Sequence, residues 1–374
     1  MAITRRDFIA TSGASLVASG VAGSVAGGGA EPVERPVMAP ADLDSAFANW
    51  IVIDALSGTD VDETDLDAWK RSGTTMLSMT MGPSGDPPFG YDQAVEDIAT
   101  WHGNFAKHRD KFIHVLDTSD ILRAKREGKH AVMLNFQNAT HLKRDIKNVQ
   151  FFYDLGIRQM LLTYNSLNSL GAGCTERKDV GLSDFGVEVV AKMNELGMLV
   201  DTAHCGVMTT LDAIEVSKKP VLITHSNCRA LSKNDRCKPD EVISKCAEKG
   251  GVIGISTVNF FVSQKPRSTV DDYIAHIEHV VKLVGIDHVG IGSDSPINAW
   301  RKSFPDEEAF WKFHRQFHYK PGADVRWPPF IEELDVPEKL KIISQCLSAR
   351  GFSNADIEKI MGLNFLRVYK EILG

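Results

Sequence analysis

The sequence lacks three features that would assign a function directly. Outside the first 30 residues, no stretch of the 374-residue chain is long and apolar enough to cross a membrane. The net charge is -7, with no clustered basic face of the kind that binds nucleic acids. The six cysteines match neither a zinc-ribbon nor a Cys-x-x-Cys spacing. With 43% hydrophobic residues, however, the chain can bury a large core, so we expect a globular domain.

The first 30 residues are typical of an export signal. Thr4–Ile9, with Arg5 and Arg6, is a twin-arginine pattern, and a weakly hydrophobic stretch rich in Ala, Gly and Ser follows it. This predicts a signal peptide over residues 1–30, recognition by the twin-arginine translocase and a periplasmic protein. A short membrane anchor is the alternative, although such small residues make a poor span. Residues 31–48, rich in Pro and Ala, are predicted to be a linker.

An oxidising compartment would permit disulfides. One or two disulfides and a set of buried free thiols are both compatible with the cysteine spacings, and the pairing cannot be deduced from them. The six residues are Cys174, Cys205, Cys228, Cys237, Cys246 and Cys346.

Apolar runs alternate with amphipathic segments from residue 49 to the C-terminus. Eight of these runs are short and β-branched, as buried parallel strands are, and helical patterns follow them. They predict an α/β fold, a single (β/α)8 (TIM) barrel over residues 49–374. A doubly wound open sheet is the alternative, but it would carry a Gly-rich phosphate turn after an early strand. The predicted strands are Ile51–Asp54, Thr75–Met79, Ala131–Phe136, Arg158–Thr163, Met198–Ala203, Val221–Thr224, Val252–Ser256 and His288–Gly292, with Phe112–Leu116 as a ninth, edge candidate.

Three predicted strands end in side chains that carry chemistry. His204 follows GMLVDTA, His225 follows PVLIT and Asp294 follows HVGIGS. The carboxyl ends of barrel strands meet at one mouth, where such enzymes hold their catalytic groups. Neutral imidazole is a good zinc ligand, and an aspartate can bind the metal or accept a proton from water. The pattern predicts a metal site at the mouth; core histidines and a capping aspartate are the structural alternative.

The segments around these residues resemble the membrane (renal) dipeptidase family, zinc peptidases of family M19 with an amidohydrolase-type barrel. The resemblance covers most of residues 50–374. It is most specific in GLSDFGVEVVAKMNELGMLVDTAHCGV and KKPVLITHSNCRALSKNDRCKPDE, and HVGIGSD and GLNFLRVYKEIL fit as well. The resemblance implies that His204 and His225 bind metal. It also implies that Arg236 binds the substrate carboxylate and that Asp294 shuttles a proton.

The sequence departs from the family at several metal ligands. In IDALSG, Leu56 and Gly58 stand where the family has a His-x-Asp pair, and Gln137 stands where a glutamate bridges two zinc ions. Leucine and glycine have no ligating side chain, and a neutral amide brings no charge to a bridge between two dications. We therefore expect one ion per chain, zinc or a similar divalent metal, instead of two.

Neutral hydrogen-bonding groups replace the charged ligands near the predicted mouth. Tyr164 stands where the family has a substrate-binding histidine, and we expect it to donate to the developing oxyanion. Gln137 and Asn165 are predicted to bind substrate. Asn138 and Asn168 are further polar residues of this set.

Other residues could complete the metal site. Cys174 and Glu176, in the loop after the fourth barrel strand, are candidate additional ligands; a structural loop with a buried thiol is the alternative. Asp54, Asp60 and Asp62 lie near the first strand, but Asp60 and Asp62 are more typical of loop residues.

Together, the residues and the resemblance predict an exported metallohydrolase that cleaves a dipeptide or a related small amide. A homodimer is compatible with the sequence. One alternative is a maturation or tailoring enzyme for a periplasmic small molecule on the same fold. Another is a catalytically inactive binding protein. Retention of four residues that match the family favours an enzyme, whereas the lost ligands favour either alternative over an ordinary dipeptidase.

Overall fold

The structure is a computed structural model that describes residues 40–58, 61, 63–82, 90–298, 304–314 and 325–374. The predicted signal peptide, Asp60 and Asp62 lie outside the described residues. Within the described part, every helix is too short or too polar to span a membrane.

Strands and helices alternate along the chain. The strands are β1 (Ile53–Ser57), β2 (Met76–Thr80), β3 (Phe112–His114), β4 (His130–Phe136), β5 (Ile157–Leu161), β6 (Leu199–Asp201), β7 (Ile223–Ser226), β8 (Ile253–Ile255) and β9 (Val289–Ile291). The helices are α1 (Pro40–Asn49), α2 (Glu63–Ser72), α3 (Tyr91–Lys107), α4 (Thr118–Glu127), α5 (Lys147–Asp154), α6 (Asp184–Leu196), α7 (Val207–Val216), α8 (Asp240–Glu248), α9 (Asn259–Val262), α10 (Val270–Val284), α11 (Glu307–His314), α12 (Lys339–Ala349), α13 (Asn354–Glu358) and α14 (Asn364–Leu373).

The strands form two parallel sheets that together make the predicted barrel. One sheet has the order β1-β2-β4-β5-β6, and the other has the order β7-β8-β9. A parallel bridge between Asp201 and Leu222 connects β6 to β7. The Asp294 N–H donates to the Leu56 carbonyl at 2.9 Å and connects the end of β9 to β1. The eight barrel strands are therefore linked all the way round, and the (β/α)8 prediction is confirmed.

The ninth strand is a short addition to this barrel. β3 pairs with the first residues of β4, whereas β5 pairs with the later ones. The predicted edge piece over 112–116 is therefore present. The first barrel strand begins at Ile53, two residues later than predicted, and continues to Ser57.

Helix α1 corrects the predicted linker over residues 31–48. The helix begins at Pro40, and Leu43, Phe47 and Trp50 beyond its end are buried in the core. These positions follow the three- and four-residue spacing of an apolar helix face, which the high Pro and Ala content of the segment obscured. Proline also suits the first position of a helix. The linker can therefore extend only over residues 31–39.

An apolar plug fills the amino end of the barrel, opposite the mouth. Phe365, Val368, Tyr369 and Ile372 of α14 are buried against side chains from the strand starts. These partners are Ile53, Met76, Ala131, Met133, Leu199, Leu222 and Val252. Because this end is closed by packing, a ligand can approach only the carboxyl ends of the strands, where His204, His225 and Asp294 lie.

The six cysteines are all free thiols in the structure, and Cys205, Cys228, Cys237 and Cys246 are buried. Burial raises the pKa of the Cys205 thiol to about 11, so this group is a neutral packing residue and not a thiolate. The sequence is compatible with disulfides or with free thiols, and the structure has free thiols.

Candidate active site

His225 is held by a chain of hydrogen bonds that begins at a buried carboxylate. The Thr224 hydroxyl donates to Asp201 Oδ2 at 2.6 Å and lies 2.8 Å from His225 Nδ1. Because the single hydroxyl proton is directed to Asp201, the threonine oxygen accepts from the Nδ1–H of His225. This fixes the tautomer and leaves Nε2 with its lone pair. Asp201 is held in turn by the amide groups of Ala203 and Thr224.

His204 is held by the loop that follows β5. Its Nδ1 lies 2.9 Å from Asn165 Oδ1, and the Tyr164 ring stacks on the imidazole with centroids 4.0 Å apart. The Cys174 amide donates to the His204 carbonyl at 2.8 Å. Glycine is required at position 173, because an added Cβ would lie 2.2 Å from the Tyr164 carbonyl oxygen. The loop therefore packs directly over the histidine.

The two imidazoles lie edge to face, with centroids 4.9 Å apart and an interplanar angle of 60°. Each Nε2 is buried and has no hydrogen-bond partner in the structure. Burial, reinforced by the Arg236 charge, holds the pKa of both histidines well below the ordinary value, so both rings are neutral. A pair of buried lone pairs without donors is an arrangement that a divalent cation would satisfy. The residues therefore fit a metal ion with two protein ligands.

The two candidate additional ligands, Cys174 and Glu176, contact their own loop. The Cys174 thiol donates to Asn165 Oδ1 at 3.4 Å. The Glu176 carboxylate accepts from the amides of Leu167 and Arg177. Among the described residues, no three His, Cys, Asp or Glu side chains cluster closely enough to hold a metal ion. A role for Cys174 or Glu176 as an additional ligand therefore stays a prediction.

Arg236 connects the two histidine-bearing strand ends. One guanidinium nitrogen, Nη1, donates to the Ala203 carbonyl at 2.5 Å, and Nη2 donates to the His225 carbonyl at 3.0 Å. The side chain is 4% exposed, and its buried Nε has no partner. The guanidinium therefore positions the histidines and still has donors for an anion.

A second buried cation, Lys238, binds the backbone around His204. Lys238 Nζ donates to the carbonyls of Thr202 and Cys205 and to the Thr210 hydroxyl, at 2.8, 2.6 and 3.2 Å. Burial lowers its pKa to about 8. Together, Lys238 and Arg236 bind the carbonyls on both sides of His204.

Asp294 lies beyond the end of β9 in a left-handed backbone conformation, with φ of 56°. This conformation is uncommon for a residue other than glycine and is found at functional sites. Burial raises the pKa of its carboxyl to about 7, Arg236 opposes the rise and Asp54 adds to it. A carboxyl with a pKa near neutrality can both accept and return a proton.

Neutral side chains line the barrel wall formed by β2, β4 and β5. Gln137 Nε2 donates to the Thr80 hydroxyl, which donates to Asn135 Oδ1. Asn135 Nδ2 donates to the Ser78 hydroxyl, which lies 3.5 Å from Gln159 Oε1. With Nε2 engaged, Gln137 presents its Oε1 as an acceptor. This wall is thus a chain of amides and hydroxyls without charge.

The amide residues beyond β4 and β5 divide into two groups. Asn165 contacts His204 and belongs to the site. Asn168 instead donates to Asn138 Oδ1 and to the Leu162 carbonyl, and it accepts from Leu170 and Gly171. Asn138 and Asn168 therefore hold the loops together.

Sequence reasoning missed the residues that position the predicted ones. Asp201, Thr224 and Lys238 hold the histidines, and none was predicted. Asp201 and Thr224 could have been identified from the sequence. Asp201 ends a buried strand three residues before His204, and Thr224 directly precedes His225, so both are polar groups where a histidine needs a partner.

Comparisons with known proteins agree with this geometry. The family model for membrane dipeptidase (peptidase family M19) matches residues 38–309. An uncharacterized dipeptidase of Schizosaccharomyces pombe is 31% identical over 268 residues, which are 70% of this chain and 57% of that protein. The dipeptidase tcpJ of Claviceps purpurea is 28% identical over 256 residues, 68% of this chain and 53% of that protein. This chain therefore matches little more than half the length of these curated relatives.

A solved structure extends the similarity over most of the chain. An amidohydrolase from Pseudomonas aeruginosa has a TM-score of 0.80 and 29% identity, and the match covers 90% of this chain and all of that one. The barrel described above is therefore similar to the barrel of this amidohydrolase.

Replacing Thr224 by valine tests the hydrogen-bond chain that holds His225. The methyl group cannot accept from Nδ1 or donate to Asp201, so the imidazole loses its fixed tautomer and orientation. We expect zinc affinity, measured by competition with a chromogenic chelator, to fall about 10- to 100-fold. Thr75→Val is the matched control, because this buried hydroxyl accepts only a backbone bond at the amino end of β2. Equal zinc affinity in the two variants would contradict the assignment.

Proposed function

Because the chain belongs to the membrane dipeptidase family of peptidases (family M19), we propose that it hydrolyses the amide bond of a dipeptide or related small amide. The observation that carries the proposal is the pair of buried Nε2 atoms on His204 and His225, which have no hydrogen-bond partner. The Nδ1 atom of each ring is hydrogen-bonded, to Asn165 and Thr224 respectively, and this fixes the tautomer. These two nitrogens would hold a divalent ion, most simply zinc. When bound, the ion supplies a Lewis acid toward the scissile carbonyl and the attacking water.

Asp294 is the proton carrier of the proposed reaction. Its carboxyl accepts a proton from the attacking water and returns it to the leaving amine. Both steps are accessible near neutral pH, because burial raises the pKa of Asp294 to about 7. The left-handed backbone conformation of Asp294 fixes the direction in which its side chain leaves the main chain. This supports a defined position of the carboxyl group in the mouth.

Arg236 and Tyr164 recognise the substrate in this proposal. The Nε–H of Arg236 and the remaining guanidinium protons are donors for the substrate carboxylate. Tyr164 stacks on His204, beside the proposed ion, and its hydroxyl would stabilise the developing oxyanion. In this proposal Asn165 and Gln137 each offer the substrate a side-chain carbonyl oxygen as a hydrogen-bond acceptor. The Asn165 oxygen is also hydrogen-bonded to Nδ1 of His204.

We propose that each chain binds at most one ion tightly. Leu56 and Gly58 offer no ligating side chain, and Gln137 offers a neutral oxygen in an uncharged wall. A second dication at this wall would remain uncompensated by carboxylate. With two histidines and no third clustered ligand among the described residues, even the first ion should bind less tightly than at a three-ligand catalytic site.

Metal content and activity test the proposal on one sample. We expect zinc-loaded, purified protein to contain one zinc or less by plasma mass spectrometry and to cleave some member of a dipeptide panel. His204→Ala should lose both zinc and activity. Asp294→Asn should keep its zinc and lose activity by about 100-fold or more, as removal of a proton carrier does.

The control for this experiment is His279→Ala, since His279 lies on helix α10 and its Nε2 is 2.8 Å from Asp240 Oδ1. Two zinc ions per chain would show that ligands have been missed and would refute the single-ion proposal. One zinc without turnover on any amide, together with a ligand-induced rise in melting temperature, would instead establish a binding protein.

The pH dependence of kcat/KM tests the role of Asp294. The carboxyl acts only when ionised, and its pKa is raised to about 7. Below pH 7 the rate should therefore fall about tenfold per pH unit. Protonation of His204 or His225 does not account for a fall in rate that begins near pH 7, because the pKa values of both histidines lie well below the ordinary value. An acid limb near pH 4, or one that persists in Asp294→Asn, would contradict this assignment.

We also propose that the chain is exported by the twin-arginine route, on the pattern formed by Arg5 and Arg6. Changing both to lysine keeps the charge and removes the pattern, so the precursor should stay in the cytoplasmic fraction while the unchanged sequence reaches the periplasm. Fractionation and immunoblotting measure the distribution. Unimpaired export of the double variant would refute the proposal.

A further inference from the structure

The turn that carries Asp294, residues Ser293–Pro296, is fixed from both ends. Asp294 has φ of 56°, and its N–H donates to the Leu56 carbonyl at 2.9 Å. The Ser293 carbonyl accepts from both the amide and the hydroxyl of Thr257, at 3.0 and 2.8 Å. A non-glycine residue keeps this conformation only where its surroundings determine it.

Asp54 holds the first half of the turn. Its Oδ1 accepts from the Ser293 amide at 2.7 Å, and its Oδ2 accepts from the Ser293 hydroxyl at 2.5 Å. Asp54 is 1% exposed, and both of its carboxylate oxygens contact Ser293 of the turn. Asp54 therefore fixes the residue directly before Asp294.

Lys339 holds the second half of the turn. Its Nζ donates to the Ser295 hydroxyl at 2.7 Å and to the Pro296 carbonyl at 2.5 Å, and the side chain is 1% exposed. The Ser295 hydroxyl in turn lies 3.2 Å from that of Ser293. Lys339 and Asp54 are thus the two ends of one buried network that encloses Asp294.

The position of Lys339 in its helix indicates that its head group matters. Lys339 is the first residue of α12, where the helix dipole disfavours a cation. Burial costs an ammonium group further free energy. A residue selected only for packing would not need a charge here. The nearby charges that act on Lys339 are those of Asp54 and Asp335, and Asp294 is acted on by Arg236 and Asp54.

We propose that Lys339 is a positioning residue for Asp294: its buried ammonium binds Ser295 and Pro296 and, with Asp54, holds the Ser293–Pro296 turn in the conformation that presents the Asp294 carboxyl to the mouth. The proposal rests on the proposed role of Asp294 as proton carrier, but its structural part can be measured without activity.

Lys339→Met is the test variant, because methionine is unbranched and suits a buried position. Lys341→Met is the matched control on the same helix, where Nζ forms a partly exposed ion pair with Asp44. Hydrogen exchange measured by mass spectrometry should show faster exchange in the segment 289–298 of Lys339→Met, with the barrel plug in α14 unchanged. Lys341→Met should exchange as the unchanged protein does.

Kinetics provide the second readout. We expect kcat of Lys339→Met to fall about 10- to 100-fold, as misplacement of a reacting group by about 1 Å does, with KM and zinc content unchanged. In the Asp294→Asn background the same substitution should cause no further loss, because a residue that acts through Asp294 has nothing left to position. A uniform rise in exchange, or losses that add in the double variant, would overturn the proposal.

Two further outcomes separate this proposal from that of the function. If the protein cleaves no amide, the proposed function fails, and local exchange at 289–298 alone decides whether Lys339 holds the turn. If Lys339→Met does not fold, Ser295→Ala removes one acceptor of the ammonium and should produce the same localised exchange to a smaller extent. Unchanged exchange at 289–298 in the variant that folds would refute the proposal.

Discussion

Hydrogen bonds from buried cations to backbone carbonyls hold the mouth of this barrel together. The carbonyls at strand ends have left the sheet ladder, and when buried they need donors from elsewhere. Arg236 and Lys238 supply them around His204, and Lys339 supplies them beyond Asp294. Burial lowers the pKa of both lysines to about 8, so they remain largely charged at neutral pH. Arg236 and Lys238 also help to keep the imidazoles of His204 and His225 neutral, which is the state that binds metal.

The charge balance of the mouth follows from this arrangement. The cations are matched by carboxylates that bind to backbone and hydroxyl groups, as Asp201 and Asp54 do. The opposite wall, from Gln137 to Gln159, is neutral. A dication at this wall would lie against amides and hydroxyls, with no carboxylate of the wall to compensate its charge. The charged groups of the mouth are therefore concentrated around the histidines and Asp294.

Much of the fold and part of the site could be predicted from the sequence. The barrel followed from the alternation of β-branched runs with helical patterns, and His204, His225 and Asp294 followed from their places at strand ends. The positioning contacts of the buried lysines could not be predicted, because they join residues far apart in sequence: Lys339 contacts Ser295, and Lys238 contacts Thr202. The contacts of Cys174 and Glu176 could not be predicted for a related reason, because the fold of their loop decides which backbone amides and side chains they meet. Helix α1 was not predicted, because the Pro- and Ala-rich composition of residues 31–48 is typical of a linker and obscures the apolar periodicity of the helix.

The first strand, β1, helps to place Asp294. The bond between Asp294 N–H and the Leu56 carbonyl closes the barrel and also sets the backbone of the proposed proton carrier. Asp54, on the same strand, fixes the residue before it. Closing the barrel and placing Asp294 are therefore one structural event. Since a residue in the left-handed region must be held there by its surroundings, Asp294 can adopt this conformation only in the closed barrel. The strand thus contributes its backbone and one buried carboxylate in place of metal ligands.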